Sequence, residues 1–169
     1  MEEIWKQIEN YENYSVSSLG QVRNDDTKKI LKGCKNRDGR FHVDCCKNGI
    51  IKRFQIHRLV ALAFIENPEG KLEIDHIDNN PSNNRVENLR WSTREENSRN
   101  TRIRSNNTSG VKGVCWDKSR EKWSAEIKID GIKVHIGRFN TIEEATLARQ
   151  TRANQAFGVF TNACETNQS

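Results

Sequence analysis

The chain has 169 residues, 34% of them hydrophobic and 30% charged, and its Lys and Arg outnumber its Asp and Glu 28 to 23. So polar a composition argues against one large core and for small modules strung together, and no uninterrupted apolar run is long enough to span a bilayer. The positive excess is uneven: residues 1–101 carry 17 basic against 16 acidic side chains, whereas residues 102–160 carry 11 against 6, so the C-terminal part is the natural place for a polyanion. The five cysteines (Cys34, Cys45, Cys46, Cys115 and Cys164) are odd in number and form no Cys-x-x-Cys pair. That argues against both a zinc site and a disulfide framework. With an acidic start at Glu2 and Glu3, the expectation is an intracellular protein of a reducing compartment, cytoplasmic or nuclear and not secreted.

Residues 1–54 read as a strand-rich module. Trp5, Ile8, Tyr11, Tyr14, Val16, Leu19 and Val22 stand among polar residues with Gly20 as a turn, and Asp38-Gly39 and Asn48-Gly49 are turn signals flanked by strand-like runs. Basic residues recur over 28–53, where a solvated sheet face and a DNA-contacting ribbon are equally good readings; His42 reads as a surface strand residue. The next module spans 55–100. HRLVALAF at 57–64 is helix-like and is stopped by Asn67-Pro68, and His57 reads as a supporting side chain rather than a ligand.

LEIDHIDNN at 72–80 then delivers Asp75 and His76 on a short strand, followed by an Asn-rich turn. A second short run at 89–91 leads to Ser92-Thr93, which can cap a helix carrying Glu95, Glu96 and Asn97. The unit is strand, long turn, strand, helix. Asp75 and Asn97 are hard oxygen donors, suited to Mg²⁺ or Mn²⁺. In a regular strand His76 points away from Asp75, and its imidazole suits a general base near neutrality. Arg90 or Arg94 is available to a phosphate, with surface charge as the plain alternative.

From Asn97 to Gly110 the sequence is polar and basic, with residues 101–109 as a linker, and Arg99, Arg102 and Arg104 can lie along a phosphate backbone. In residues 110–160, GVKGVCW, KWSAEIKI and KVHIGRF are three strand-like runs, with Asp130-Gly131 turning between the second and third. Thr141 caps a helix with Glu143 and Glu144 in its first turn, Gly158 beyond its end, and Ile142, Ala145, Ala148 and Ala156 as contacts to the sheet. Residues 161–169 are a polar tail.

The set Asp75-His76, Asn88-Leu89-Arg90-Trp91 and Asn97, with HRLVALAF upstream, resembles the phage-type HNH homing endonucleases, and residues 4–24 resemble the module that accompanies them. The resemblance implies Asp75 and Asn97 as ligands of one Mg²⁺ or Mn²⁺ per site, with no zinc. It also implies His76 as general base, and Asn88 as the residue that braces the turn and helps orient His76. Asn97 stands where the family name implies a final His. SGVKGV, KWSAEI and IGRFNTIEEAT in turn resemble the plant APETALA/ethylene-response-factor DNA-binding domain, in which the sheet enters the major groove. By position, that resemblance carries DNA contact to Lys112, Trp116, Arg120, Lys122, Trp123, Lys128, Lys133 and Arg138, and Glu126 could accept from a cytosine. Trp116 and Trp123 are equally good core residues, and His135 stands where that family commonly has Trp.

The expected architecture is thus α+β: a ββα-metal (HNH) core flanked by an N-terminal β-rich module and a C-terminal three-stranded antiparallel sheet plus one helix. The expected function is site-selective hydrolysis of double-stranded DNA by a monomer, leaving 5′-phosphate and 3′-hydroxyl ends, with no membrane or small-molecule partner. Its main rival is a catalytically inactive DNA-binding regulator on the same scaffold, and an RNA-binding or structural protein is a second.

Overall fold

The computed structural model describes residues 2–100, 103 and 106–158. The chain divides into two compact units, Met1–Arg94 and Glu95–Ser169. Arg102, Arg104 and the tail at 161–169 lie outside the described residues.

Turn chemistry sets the strands of the first unit. Asn48 and Gly49 both take positive φ (52° and 76°), the conformation a two-residue hairpin turn requires. They join β5 (Phe41–Lys47) to β6 (Ile50–Gln55), and β4 (Cys34–Lys35) pairs with β5 on its other side. A second antiparallel sheet has the order β1 (Trp5–Ile8), β2 (Tyr11–Ser17), β3 (Val22–Asn24). Helix α1 (Ile56–Phe64) follows β6 directly, and a two-stranded sheet pairs β7 (Glu73–His76) with β8 (Leu89–Ser92). A single 3₁₀ turn, Val86–Asn88, precedes β8.

The apolar side chains of these elements meet in one core: Val16 and Val22, Val43 and Cys45, Leu59, Val60 and Ala61, then Ile74, Leu89 and Trp91. Segments expected to separate near residue 54 therefore share that core. Trp91 also donates its indole N–H to the Ile65 carbonyl at 3.0 Å, tying β8 to the end of α1.

Helix α2 (Arg94–Arg99) begins where the first unit ends. In the second unit β10 (Lys122–Ile129) lies between β9 (Val114–Asp117) and β11 (Ile132–Phe139), and Asp130-Gly131 (φ 49° and 82°) makes the turn. Helix α3 (Ile142–Phe157) is capped by Thr141, whose hydroxyl accepts from Glu144 N at 3.2 Å, while the Glu144 carboxylate accepts from Asn140 N. Of the contacts expected from α3, Ile142 and Ala145 pack in the core of this unit. Ala145, Arg149 and Ala153, spaced four apart, are its buried residues, whereas Ala148 and Ala156 are half-buried. Arg149 is tolerated there because its Nε donates to the Glu126 carbonyl at 3.0 Å, just past a β-bulge between Ala125 and Glu126 that opens the ladder. No helix among the described residues is long and apolar enough to cross a membrane.

Candidate active site

The β7–β8 register places Ile74 opposite Trp91, Asp75 opposite Arg90 and His76 opposite Leu89. Strand alternation then does the sorting. Ile74, Trp91, His76 and Leu89 face the core, and Asp75 faces Arg90. The Arg90 Nε and Nη2 reach Asp75 Oδ2 at 2.8 and 2.6 Å, and both side chains are largely buried. This guanidinium aims the carboxylate.

On the other face, the His76 ring packs 5.3 Å from that of His57, tilted by 59°. His76 Nε2 lies 3.3 Å from Asn84 Oδ1. Burial pushes the His76 pKa below its ordinary value and outweighs the opposing hydrogen bond from Asn84, so the ring is neutral at neutral pH. His57 is buried more deeply still. Desolvation first, then the charges of His76, Arg40 and Arg58, hold its pKa at about 3, and its Nδ1 has no hydrogen-bond partner. It supports His76 by packing.

The loop between β7 and β8 is built on Asp78. Its carboxylate accepts from Asn80 N at 2.7 Å, Asn83 Nδ2 at 2.7 Å and Asn88 Nδ2 at 2.9 Å. Burial alone would raise the Asp78 pKa, but these bonds outweigh it and the pKa is lowered. Asn88 closes the loop, its Oδ1 accepting from Asp78 N and its Nδ2 donating to the Asn83 carbonyl. Asn88 thus braces the turn, and the carboxamide beside the imidazole is that of Asn84. Sequence reasoning missed Asn84, whose place depends on a distant residue. Gly20 (φ 82°), in the turn after β2, packs so closely that a Cβ there would stand 2.7 Å from the Asn84 Cβ. Val86 N also donates to the Ser18 carbonyl at 2.9 Å. The β1–β3 sheet therefore buttresses the residue that holds His76.

Asn97 lies half-buried on α2, at the start of the second unit. Among the described residues no three His, Cys, Asp or Glu side chains form a self-contained metal cage. Asp75 on β7 and Asn97 on α2 of the second unit each carry an oxygen donor of the kind a hard divalent cation takes.

In the second unit, cross-strand pairing puts Lys122 beside Asp117, Glu126 beside His135, and Lys128 beside Lys133. Asp117 pairs with Arg138 at 3.1 Å and with Arg120 at 3.2 Å, and Glu126 pairs with Lys133. A Ser119 hydrogen bond, followed by those from Arg138 and Arg120, holds the Asp117 carboxyl well below the usual range. Trp116 and Trp123 pair with each other on the opposite face, the one that carries Val114 and Ala125. Trp123 packs against the core and Trp116 is 44% exposed. The tryptophans and the charged candidates thus occupy different faces. Lys112 donates to the Arg99 carbonyl at 2.7 Å, and Arg99 reaches Asp130 and stacks over Phe157.

A strand-paired Asp-His dipeptide, an Asn-braced loop and a short helix bearing a carboxamide define a small nuclease motif, and comparison with known proteins agrees. The HNH endonuclease family model matches residues 54–99, and the NUMOD4 motif matches residues 3–45. The DNA endonuclease I-HmuI of Bacillus phage SP01 is 39% identical over 131 residues, which cover 76% of this chain and 75% of that protein. A solved structure described as DNA binding and cleavage by the HNH homing endonuclease I-HmuI matches with a TM-score of 0.55 and 32% identity, over 94% of this chain and 92% of the other. An uncharacterized HNH endonuclease of Acanthamoeba polyphaga mimivirus is 46% identical over 100 residues, 56% of this chain. The chain spans only 25% of the length of that viral protein. The chain belongs to the HNH endonucleases, a metal-dependent nuclease family, and it carries the NUMOD4 motif. Its mixed α+β build of small antiparallel sheets and few helices matches the I-HmuI fold.

Proposed function

We propose that this chain is a homing-type, site-selective DNA endonuclease that hydrolyses one phosphodiester bond per visit, with His76 as general base. The observation that carries the reading is the buried, neutral His76 set one residue from an Arg90-aimed carboxylate. With Nε2–H donating to Asn84 Oδ1, the imidazole lone pair is on Nδ1, and Nδ1 takes the proton from the attacking water. Asp75 and Asn97 are the residues that would hold Mg²⁺ or Mn²⁺. There a bound cation would supply stabilisation of the negative charge that develops in phosphodiester hydrolysis. Water attack with 3′-oxygen departure leaves 5′-phosphate and 3′-hydroxyl ends. Asn88 fixes the loop so that His76 and Asp75 keep their relative aim.

The second unit supplies a further grip on duplex DNA through the charged sheet face of Lys122, Lys128, Lys133 and Arg138, in the manner of the APETALA/ethylene-response-factor domain. Part of that grip is phosphate contact, so affinity falls steeply with salt.

The test is incubation of the purified chain with supercoiled plasmid and Mg²⁺ or Mn²⁺. Nicking that stops in EDTA and in His76→Ala supports the reading. Tight duplex binding with no strand breakage by the wild type would instead make the chain a DNA-binding regulator.

A further inference from the structure

The turn joining β4 to β5 reaches the loop that follows His76. Ser82 Oγ donates to the Gly39 carbonyl at 3.0 Å, and Pro81 packs so closely that a Cβ on Gly39 would stand 3.0 Å from its Cγ. Within the turn, Arg40 N donates to Asn36 Oδ1 at 2.8 Å and Asn36 N to the Arg40 carbonyl at 2.9 Å. The backbone of Arg40 is thus held both by its own turn and by the Pro81-Ser82 segment.

The Arg40 side chain is treated differently from its counterparts. Three arginines of the first unit are half-buried: Arg23, Arg40 and Arg90. Arg23 pairs with Asp25 and Arg90 with Asp75, but among the described residues Arg40 has neither hydrogen bond nor ion pair for its guanidinium. Even the exposed Arg58 donates to the Leu72 carbonyl. The Arg40 charge is close enough to His57 and His76 to disfavour a proton on either ring. A half-buried arginine whose guanidinium has no counterion is free to take an anion from outside the chain. Its planar fork matches a phosphate, and a phosphodiester is the anion that must come to His76.

We propose that Arg40 contacts a non-bridging oxygen of the phosphodiester that is cut, so that the β4–β5 turn contributes a phosphate-binding arginine to the nuclease site. This rests on the nuclease reading above. The interaction strengthens as charge grows on the phosphoryl oxygens, so its loss falls on the rate more than on binding.

The test compares wild type, Arg40→Ala, Arg40→Lys and Arg37→Ala (an exposed residue of the same turn) by single-turnover nicking and by duplex affinity at fixed salt. Arg40→Ala is expected to slow nicking by about 100-fold, while affinity falls by less than about threefold and melting is unchanged because the side chain has no internal partner. Arg40→Lys should fall between, free guanidinium at millimolar concentration should restore part of the Arg40→Ala rate, and Arg37→Ala should cut normally. Nicking by Arg40→Ala at the wild-type rate overturns the proposal. So does a rate loss that saturating DNA abolishes, or one that guanidinium leaves untouched in both Arg40 variants. If the wild type does not nick at all, the nuclease reading fails, and Arg40 is judged by titrating inorganic phosphate against the arginine Nε–H resonance that Arg40→Lys removes. A shift of that resonance retains the anion contact, and no shift discards it.

Discussion

Replacing Arg90 by Met tests the pairing at the centre of the site. The change keeps much of the aliphatic stem and removes the guanidinium, leaving the Asp75 side chain, 4% exposed, without its cross-strand cation. Breaking a buried pair from one side costs about 3–5 kcal/mol, because the remaining charge is desolvated and uncompensated. In a unit of this size each 1 kcal/mol moves the melting temperature by roughly 4–8 °C, so a loss of at least about 12 °C is expected. Differential scanning calorimetry in EDTA measures it. Asp75→Asn combined with Arg90→Met should recover much of the loss, since a neutral amide needs no counter-charge, and Mn²⁺ should recover part of it in the single variant by binding the folded form. A single variant that melts within about 3 °C of wild type, or a double variant no more stable than the single, would show that Arg90 does not neutralise Asp75.

Three other outcomes follow from particular contacts. The folded His57 pKa, about 3, lies below its ordinary value of 6.5. The unfolded chain therefore takes up the proton first, and stability present above pH 6.5 is lost as pH falls, at about 1.4 kcal/mol per unit. His57→Phe should flatten the dependence between pH 6.5 and 5, as read by urea unfolding, leaving the His76 contribution of the same sign; a slope parallel to wild type would contradict this. Gly20→Ala should push Asn84 away from His76 and lower the nicking rate at temperatures where the first unit is still folded, and an unchanged rate would count against Asn84 as the partner of His76. Gly113→Ala combines φ 74° with a Cβ driven into the Glu126 carbonyl, so the second unit should lose more than about 2 kcal/mol in denaturant titration. A loss below about 0.5 kcal/mol would show that the bulge yields freely.

What the sequence revealed depended on the range of the interaction that decided each feature. Asn48-Gly49 and Asp130-Gly131 announce hairpins because two positive-φ residues suffice to fix the turn and so the register beyond it. Asp75 and His76 were legible as a pair on opposite faces of a strand, since alternation is local. Asn84 was not legible, because its role depends on Gly20, 64 positions earlier, lacking a side chain. On α3 the sheet contacts of Ile142 and Ala145 are legible from the sequence, whereas the burial of Arg149 is not, because it depends on the Glu126 carbonyl beside a bulge in β10. The single core joining residues on both sides of position 54 has the same origin, as neither the β4–β6 sheet nor α1 can cover its apolar face alone. The ion pairs of Asp117, Glu126 and Asp130 with Arg120, Arg138, Lys133 and Arg99 were not legible either, because strand register and turn geometry decide which charges meet.

The proposed function stands or falls on a divalent cation held by Asp75, the neighbour of His76 on β7. Calorimetric titration of Mn²⁺ into the complex of the chain with a nicked target duplex measures this directly. One site is expected in the wild type, abolished by Asp75→Asn, weakened by Asn97→Ala and retained by His76→Ala. Equal Mn²⁺ binding by wild type and Asp75→Asn would contradict it.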